Sequence, residues 1–289
     1  MSDPLKIQGD TLIEKLGGLH WFWIGAIILL LIFIPLLNPI GLPISTTQWT
    51  LDAYQAILDA PKDKIVVWED EWSMGGLAEA ETGHTALMRL LLKNDIRFVM
   101  VSLTPDTPLL HSYITDIVTK TAEGRGKTYG IDWAQMGFLP GGEASLPFMA
   151  EDFHGAFEAD FYGTPLSELT IMDDLHGYED IALIITGSSS QTWIESPVRQ
   201  WYVKYGVEII SYTLTGGTVL SATYWPDNGI LGIIEGSRGG SELEFIAGVP
   251  GIGVAQSDAK TLAFLATAAF IVLGNISYFG SKFKRGGAS

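Results

Sequence analysis

The chain contains no cysteine. That absence excludes a disulfide framework, a thiolate metal site and a cysteine nucleophile, leaving oxygen, imidazole and backbone groups for any chemistry. Positive charge is scarce, with 17 Lys and Arg against 33 Asp and Glu, a net charge of −16. The deficit is uneven: residues 41–258 hold 11 basic and 30 acidic residues, whereas residues 259–289 carry +4. An acidic surface repels phosphate backbones, so no nucleic-acid partner is expected, and it does not hold to anionic headgroups by charge.

Charge of either sign is missing from two long stretches. Leu16 to Leu51 is a 36-residue window without Asp, Glu, Lys or Arg, and it encloses WFWIGAIILLLIFIPLL from Trp21 to Leu37. An apolar run of this length crosses a hydrocarbon core of roughly 30 Å at about 1.5 Å per residue. The weakly basic flank and the exit LNPIGLPIS, which lacks a small-x-small cleavage pattern, argue for an uncleaved anchor rather than a signal peptide. Thr261 to Ser281 is a second uncharged stretch, of 21 residues. Two spans place both termini on one side. Lys6, Lys15, Lys282, Lys284 and Arg285 assign that side to the cytoplasm.

The expected layout is a cytoplasmic tail over 1–19, a first span over 20–40, an extracytoplasmic domain over 44–258, a second span over 260–280 and a basic cytoplasmic tail over 281–289. Leu5, Ile7, Leu12, Ile13 and Leu16 suit a surface helix in the first tail. The bilayer is one partner. Small residues in the second span, Ala263, Thr267 and Gly274 among them, allow a neighbouring helix or another subunit to approach closely, so self-association within a membrane complex is also expected.

Between the spans, Lys64–Trp68, Arg97–Leu103, Ile181–Thr186, Val207–Tyr212 and Ile230–Ile234 read as strands buried on both faces, with a shorter one within Tyr129–Phe138. Helical patterns at Thr50–Asp59, Gly76–Asn94, Leu109–Glu123, Glu143–Phe153, Thr192–Lys204 and Thr218–Tyr224 alternate with them. Strands alternating with helices imply right-handed crossovers. The expected fold is α/β: a mostly parallel, doubly wound, flavodoxin- or Rossmann-like sheet flanked by helices, plus a two-helix transmembrane hairpin formed by the N- and C-terminal segments. Ser241-Glu242-Leu243-Glu244 reads as a capping box opening a last short helix.

In such sheets ligands settle at the carboxyl ends of the strands. The loops there supply Glu69, Asp70, Glu71, Ser73, Gly75 and Gly76; Thr104 and Asp106; Gly141 and Gly142; Gly187, Ser188, Ser189 and Ser190; Gly216 and Gly217; and Ser237 and Arg238. Their backbone N–H groups and hydroxyls suit a small ligand, with Arg238 as anchor for an anion. Glycine and serine are equally what tight turns and N-caps require, so no single loop identifies a site.

No complete catalytic constellation is present. Gly187-Ser188-Ser189-Ser190-Gln191 lacks the closing glycine of a nucleophile elbow, Gly75-Gly76 lacks the third glycine of a dinucleotide fingerprint, and no phosphate-binding P-loop occurs. No cofactor is implied. His154-Gly155 and His176-Gly177 read as helix ends, so no metal site is assigned. The expected function is a ligand-binding, assembly or partner-recruiting module of a membrane complex. The alternative is a membrane-anchored hydrolase using Ser188, Ser189 or Ser190 with Glu69, Asp70 and a histidine such as His84. It requires a serine hydroxyl within reach of His84, His111 or His154, backed by a carboxylate.

Overall fold

A computed structural model describes residues 20–190 and 193–286. The expected tail over 1–19 with its surface helix, the Thr192 start of a helix, and residues 287–289 lie outside the described residues. The chain divides into two compact units, one formed by residues 1–43 and 254–289, the other by Ile44–Gly253.

In the first unit, α1 spans Trp21–Leu37, with the His20 side chain accepting from the Phe22 N–H. It stops where Asn38 precedes Pro39, a position that sterics bar from helical backbone. Among the described residues, one helix is long and apolar enough to cross a membrane: residues Ile252–Gly280, within a helix that runs unbroken from Ile252 to Gly286. It therefore begins nine residues before the expected Thr261. At 17 residues, α1 is apolar but shorter. Both helices expose large apolar side chains, including Leu29, Leu30 and Phe33 on one and Phe264, Leu265 and Ile271 on the other. A carboxylate ties the two chain segments of this unit together: buried Asp258 accepts from the backbone N–H groups of Ile40, Gly41 and Leu42 at 2.7–2.9 Å.

The second unit is an all-parallel six-stranded sheet in the order β3-β2-β1-β4-β5-β6. Its strands are β1 (Ile65–Glu71), β2 (Phe98–Ser102), β3 (Trp133–Phe138), β4 (Ile181–Ser188), β5 (Ile209–Thr213) and β6 (Ile230–Glu235). This order is the Rossmann one, and it reverses between β1 and β4. Strands covered by helices on both faces need apolar side chains pointing both ways, which explains their continuous Val/Ile runs.

One face packs against α2 (Gln48–Asp59), α3 (Leu77–Lys93), α4 (Thr107–Val118) and a later helix, Gly236–Ala247. The other is covered by α5 (Ser145–Glu151), the Val198–Val203 π-helix and the 155–180 connection. Local chemistry sets the helix ends. Thr47 caps α2 by accepting from the Thr50 N–H, and Pro108 sits in the first turn of α4, where its missing N–H costs nothing.

Two sequence expectations change. Strand β1 runs on to Glu71, so Glu69 and Asp70 are fully buried strand residues rather than part of the loop that follows the strand. Ser241 opens no helix: it lies in the middle of Gly236–Ala247, and its hydroxyl donates to the Ser237 carbonyl. The 155–180 connection buries Leu166, Leu169, Ile171, Met172 and Leu175 and so works as core filler.

Candidate functional site

The register of the sheet sets one row of side chains across its α3/α4 face. Asp70 pairs with Ser102 on β2 and with Gly187 on β4, and Gly187 pairs with Tyr212 on β5. Two histidines descend onto this row, His84 from the middle of α3 and His111 from α4. Both turn Nε2 to the same oxygen, Asp70 Oδ2, at 2.7 and 2.6 Å. Trp68 Nε1–H donates to the other carboxylate oxygen at 2.9 Å. All three ionisable side chains are at most 1% exposed.

The outer nitrogens are also engaged. His84 Nδ1 donates to the Ala80 carbonyl at 2.8 Å, and His111 Nδ1 lies 3.3 Å from Ser102 Oγ. Rings enclose the cluster: Trp68 stacks on His84 at 5.1 Å, while Trp72 and Tyr212 meet it edge-on at 5.6 and 5.1 Å. Two glycines make this possible. A Cβ on Gly83 would lie 2.3 Å from the Tyr212 ring, and a Cβ on Gly187 would lie 1.7 Å from Asp70 Oδ1 and 2.7 Å from Trp72 Nε1. That indole N–H is buried and has no hydrogen-bond partner among the described residues.

The electrostatics follow from burial and pairing. Burial alone would raise the Asp70 carboxyl, but the charge of His84 and the hydrogen bonds from both imidazoles outweigh it and hold Asp70 well below the ordinary carboxylate range. Burial lowers His111, and Asp70 opposes this only in part. On the opposite face of β1, burial pushes Glu69 up to about 8, against the opposing hydrogen bond from Trp201 Nε1 at 2.8 Å. Glu71, half-buried, is also raised by burial.

Above the cluster lies an open cleft of about 270 Å³, lined by Ser73, Gly75, Gly76, Ala78, Glu79, Ser189 and Leu214. It sits where the strand order reverses, at the ends of β1, β4 and β5. Trp72 separates the two, because a Cβ on Gly76 would touch its ring at 2.8 Å while its other contacts reach His84. Thr104 and Thr107 fix this tryptophan by donating to its carbonyl at 3.0 and 2.6 Å. Two clefts of about 350 and 370 Å³ lie at the opposite, amino-terminal edge of the sheet and include no buried ionisable cluster.

The expected site residues thus separate into groups. Ser73, Gly75, Gly76 and Ser189 line the cleft. Ser188 donates to Glu71 Oε2 at 2.8 Å, and Ser189 donates to the Glu71 backbone carbonyl, so the first meets a carboxylate, the second a peptide oxygen, and neither hydrogen bond is to an imidazole. Gly141 and Gly142, both with positive φ, shape the turn after β3, and exposed Asp106 precedes α4; none lines the cleft. Gly217 packs on Thr213, with Gly216 beside it in the same short turn. Arg238, largely exposed, donates from Nε to Glu242 at 2.9 Å, and the Ser237 carbonyl accepts from Ser241. His154 and His176 lie ring to ring at 5.1 Å near the surface. Ser102 and Tyr212 are absent from the expected site, and His111 enters it only as one of three histidines a serine hydroxyl could reach.

Ser102, His111 and Asp70 form a serine–histidine–carboxylate chain, but its polarity is reversed. The serine meets Nδ1 and the carboxylate meets Nε2, and Ser102 is fully buried. The fold and site together define a parallel Rossmann-order α/β domain with a closed His–Asp–His cluster beneath an open strand-end cleft. No family model matches the chain, and searches of curated proteins and of solved structures found no match.

Proposed function

We propose that the chain is a membrane-anchored binding and assembly module: an extracytoplasmic α/β domain held by a two-pass hairpin, with both termini in the cytoplasm. The observation that carries the non-catalytic part is the separation of the ionisable groups from the accessible surface. Asp70, His84, His111 and Ser102 are sealed, and the cleft above presents hydroxyls, backbone and the Glu79 carboxylate without an imidazole. Such a lining suits recognition of a small hydroxyl- or amine-bearing ligand, or of a partner's loop, at a strand-order switch point.

The hairpin draws support from Asp258, whose three backbone hydrogen bonds join the exit of α1 to the start of the terminal helix. The lipid-like exposure of Leu29, Leu30, Phe33, Phe264 and Leu265 supports it as well. The basic residues at the two chain ends favour a cytoplasmic location for both. Thr267 and Gly274 are exposed and Ala263 is half-buried, so this stripe is available to another subunit.

The hydrolase reading rests on the Ser102–His111–Asp70 chain. Its reversed polarity and burial leave the hydroxyl with no path to a substrate. The full chain in detergent, screened against ester, peptide and phosphoester substrates beside a Ser188→Ala/Ser189→Ala/Ser190→Ala variant and a Ser102→Ala variant, is expected to show no turnover. Robust turnover lost in either variant overturns the module reading. A C-terminal reporter is expected to signal from the cytoplasm, and an external signal refutes the orientation.

A further inference from the structure

We propose that Asp70, His84 and His111 bind one divalent metal ion of the zinc or ferrous class at the carboxyl end of β1. Three ligand atoms, one from each side chain, lie within 4.8 Å of one another. Two imidazoles and one carboxylate form a donor set that such ions favour over hard cations. The inference does not depend on whether the cleft above binds a partner.

The hydrogen bonds around the cluster are those of ligating imidazoles. A carbonyl oxygen only accepts, so the Ala80 carbonyl fixes the proton of His84 on Nδ1. The Nε2 electron pair of neutral His84 then points at Asp70 Oδ2, 2.7 Å away. Two electron pairs facing each other in a dry site need a cation between them, either a proton or a metal ion. Ser102 Oγ can accept from His111 Nδ1 in the same way, freeing His111 Nε2. Ligating histidines habitually tie down the outer nitrogen like this, which sets both tautomer and ring orientation.

A second observation is independent of the histidines. The Trp72 indole N–H is buried without an acceptor among the described residues, and it and Asp70 Oδ1 both lie close to the point above Gly187. A three-ligand metal centre keeps a further position for water, and a water there is the acceptor this indole lacks. The fit requires a small adjustment. Ligand atoms about 2.0–2.1 Å from a tetrahedral ion sit roughly 3.3 Å apart, against 2.6 and 2.7 Å here. An opening of about 0.6 Å is within reach of side-chain rotation by α3 and α4 residues.

The competing arrangement is a proton-bonded network, with His84 as imidazolium and His111 donating from Nε2 while accepting from Ser102. Metal analysis separates the two. The full chain is produced in medium supplemented with zinc or with cobalt, so that the ligands are reached before the fold closes, then passed over a chelating resin. The expected result is about one metal per chain and, for cobalt, visible ligand-field bands of a four- or five-coordinate site. His111→Asn is expected to fall to under about a tenth of an equivalent. Because that variant risks misfolding, Ser102→Ala, which keeps all three ligands and removes only the positioning hydroxyl, is expected to weaken binding about tenfold or more. A His154→Ala/His176→Ala variant is expected to retain the metal in full. A metal-free wild-type chain with the same melting temperature with and without zinc overturns the proposal, and so does loss of metal in the His154/His176 variant.

Discussion

Glu69 lies in the middle of β1, facing the α5 layer, with one oxygen accepting from Trp201 Nε1 and the Thr186 hydroxyl as a second hydrogen-bonding neighbour. Replacement by glutamine keeps the shape and an acceptor for the indole but removes the charge. The folded carboxyl titrates at about 8 and the unfolded one at 4.5. Between those values the folded state holds the proton and the unfolded state releases it, so stability falls as pH rises through this window. At pH 7 the loss relative to acid is about 3 kcal/mol, and it levels off above about pH 8. For a domain of about 210 residues that corresponds to about 6–12 °C in melting temperature. Thermal unfolding of the full chain in detergent, followed by tryptophan fluorescence at pH 5, 6, 7 and 8, tests this against Glu69→Gln. The melting temperature of the variant is expected to exceed that of wild type by an amount that grows with pH. A constant difference, or a variant less stable at pH 8, refutes the assignment of Glu69 as a buried protonated carboxyl.

Other perturbations follow from the same geometry. Gly187→Ala drives a methyl group into Asp70 Oδ1 and Trp72 and is expected to cost about 3 kcal/mol or more, read as a lowered unfolding midpoint. Asp70→Asn leaves two imidazoles buried without their shared anion and is expected to destabilise by about 3–5 kcal/mol. Because the folded Asp70 carboxyl lies below its unfolded value, its contribution is present above about pH 4 and fades as pH falls further, so acid titration of wild type should show a loss that the variant lacks. Asp258→Ala strips three backbone N–H groups of their acceptor; faster hydrogen exchange at Ile40, Gly41 and Leu42 is expected, and unchanged protection counts against the clip.

Apolar runs and their punctuation carry much of the architecture in the sequence itself. The uncharged windows at Trp21–Leu37 and Thr261–Ser281 are long apolar runs that become helices, the first even with Pro35 in its last turn. The short Val/Ile runs separated by helical patterns become a parallel sheet because only buried strands are apolar on both sides. The strand-end loops Ser73–Gly76 and Ser189 are legible as a cleft for the same topological reason. The cluster beneath them is a product of tertiary structure. Asp70 meets partners 14 and 41 residues away, and nothing in the local sequence of α3 or α4 distinguishes a histidine facing a carboxylate from one facing the core. Their meeting depends on the Asp70–Gly187 register, on Gly83 and Gly187 yielding space to Tyr212, Trp72 and the carboxylate, and on β1 continuing through Glu71. The same extension puts Glu69 and Asp70 on opposite faces of the sheet. One carboxyl thereby meets only the neutral donors Trp201 and Thr186, so burial wins and it is held protonated, while its neighbour meets both imidazoles and is held ionised. Adjacent acidic residues in a sequence look alike; strand alternation and what packs against each face make them chemically opposite.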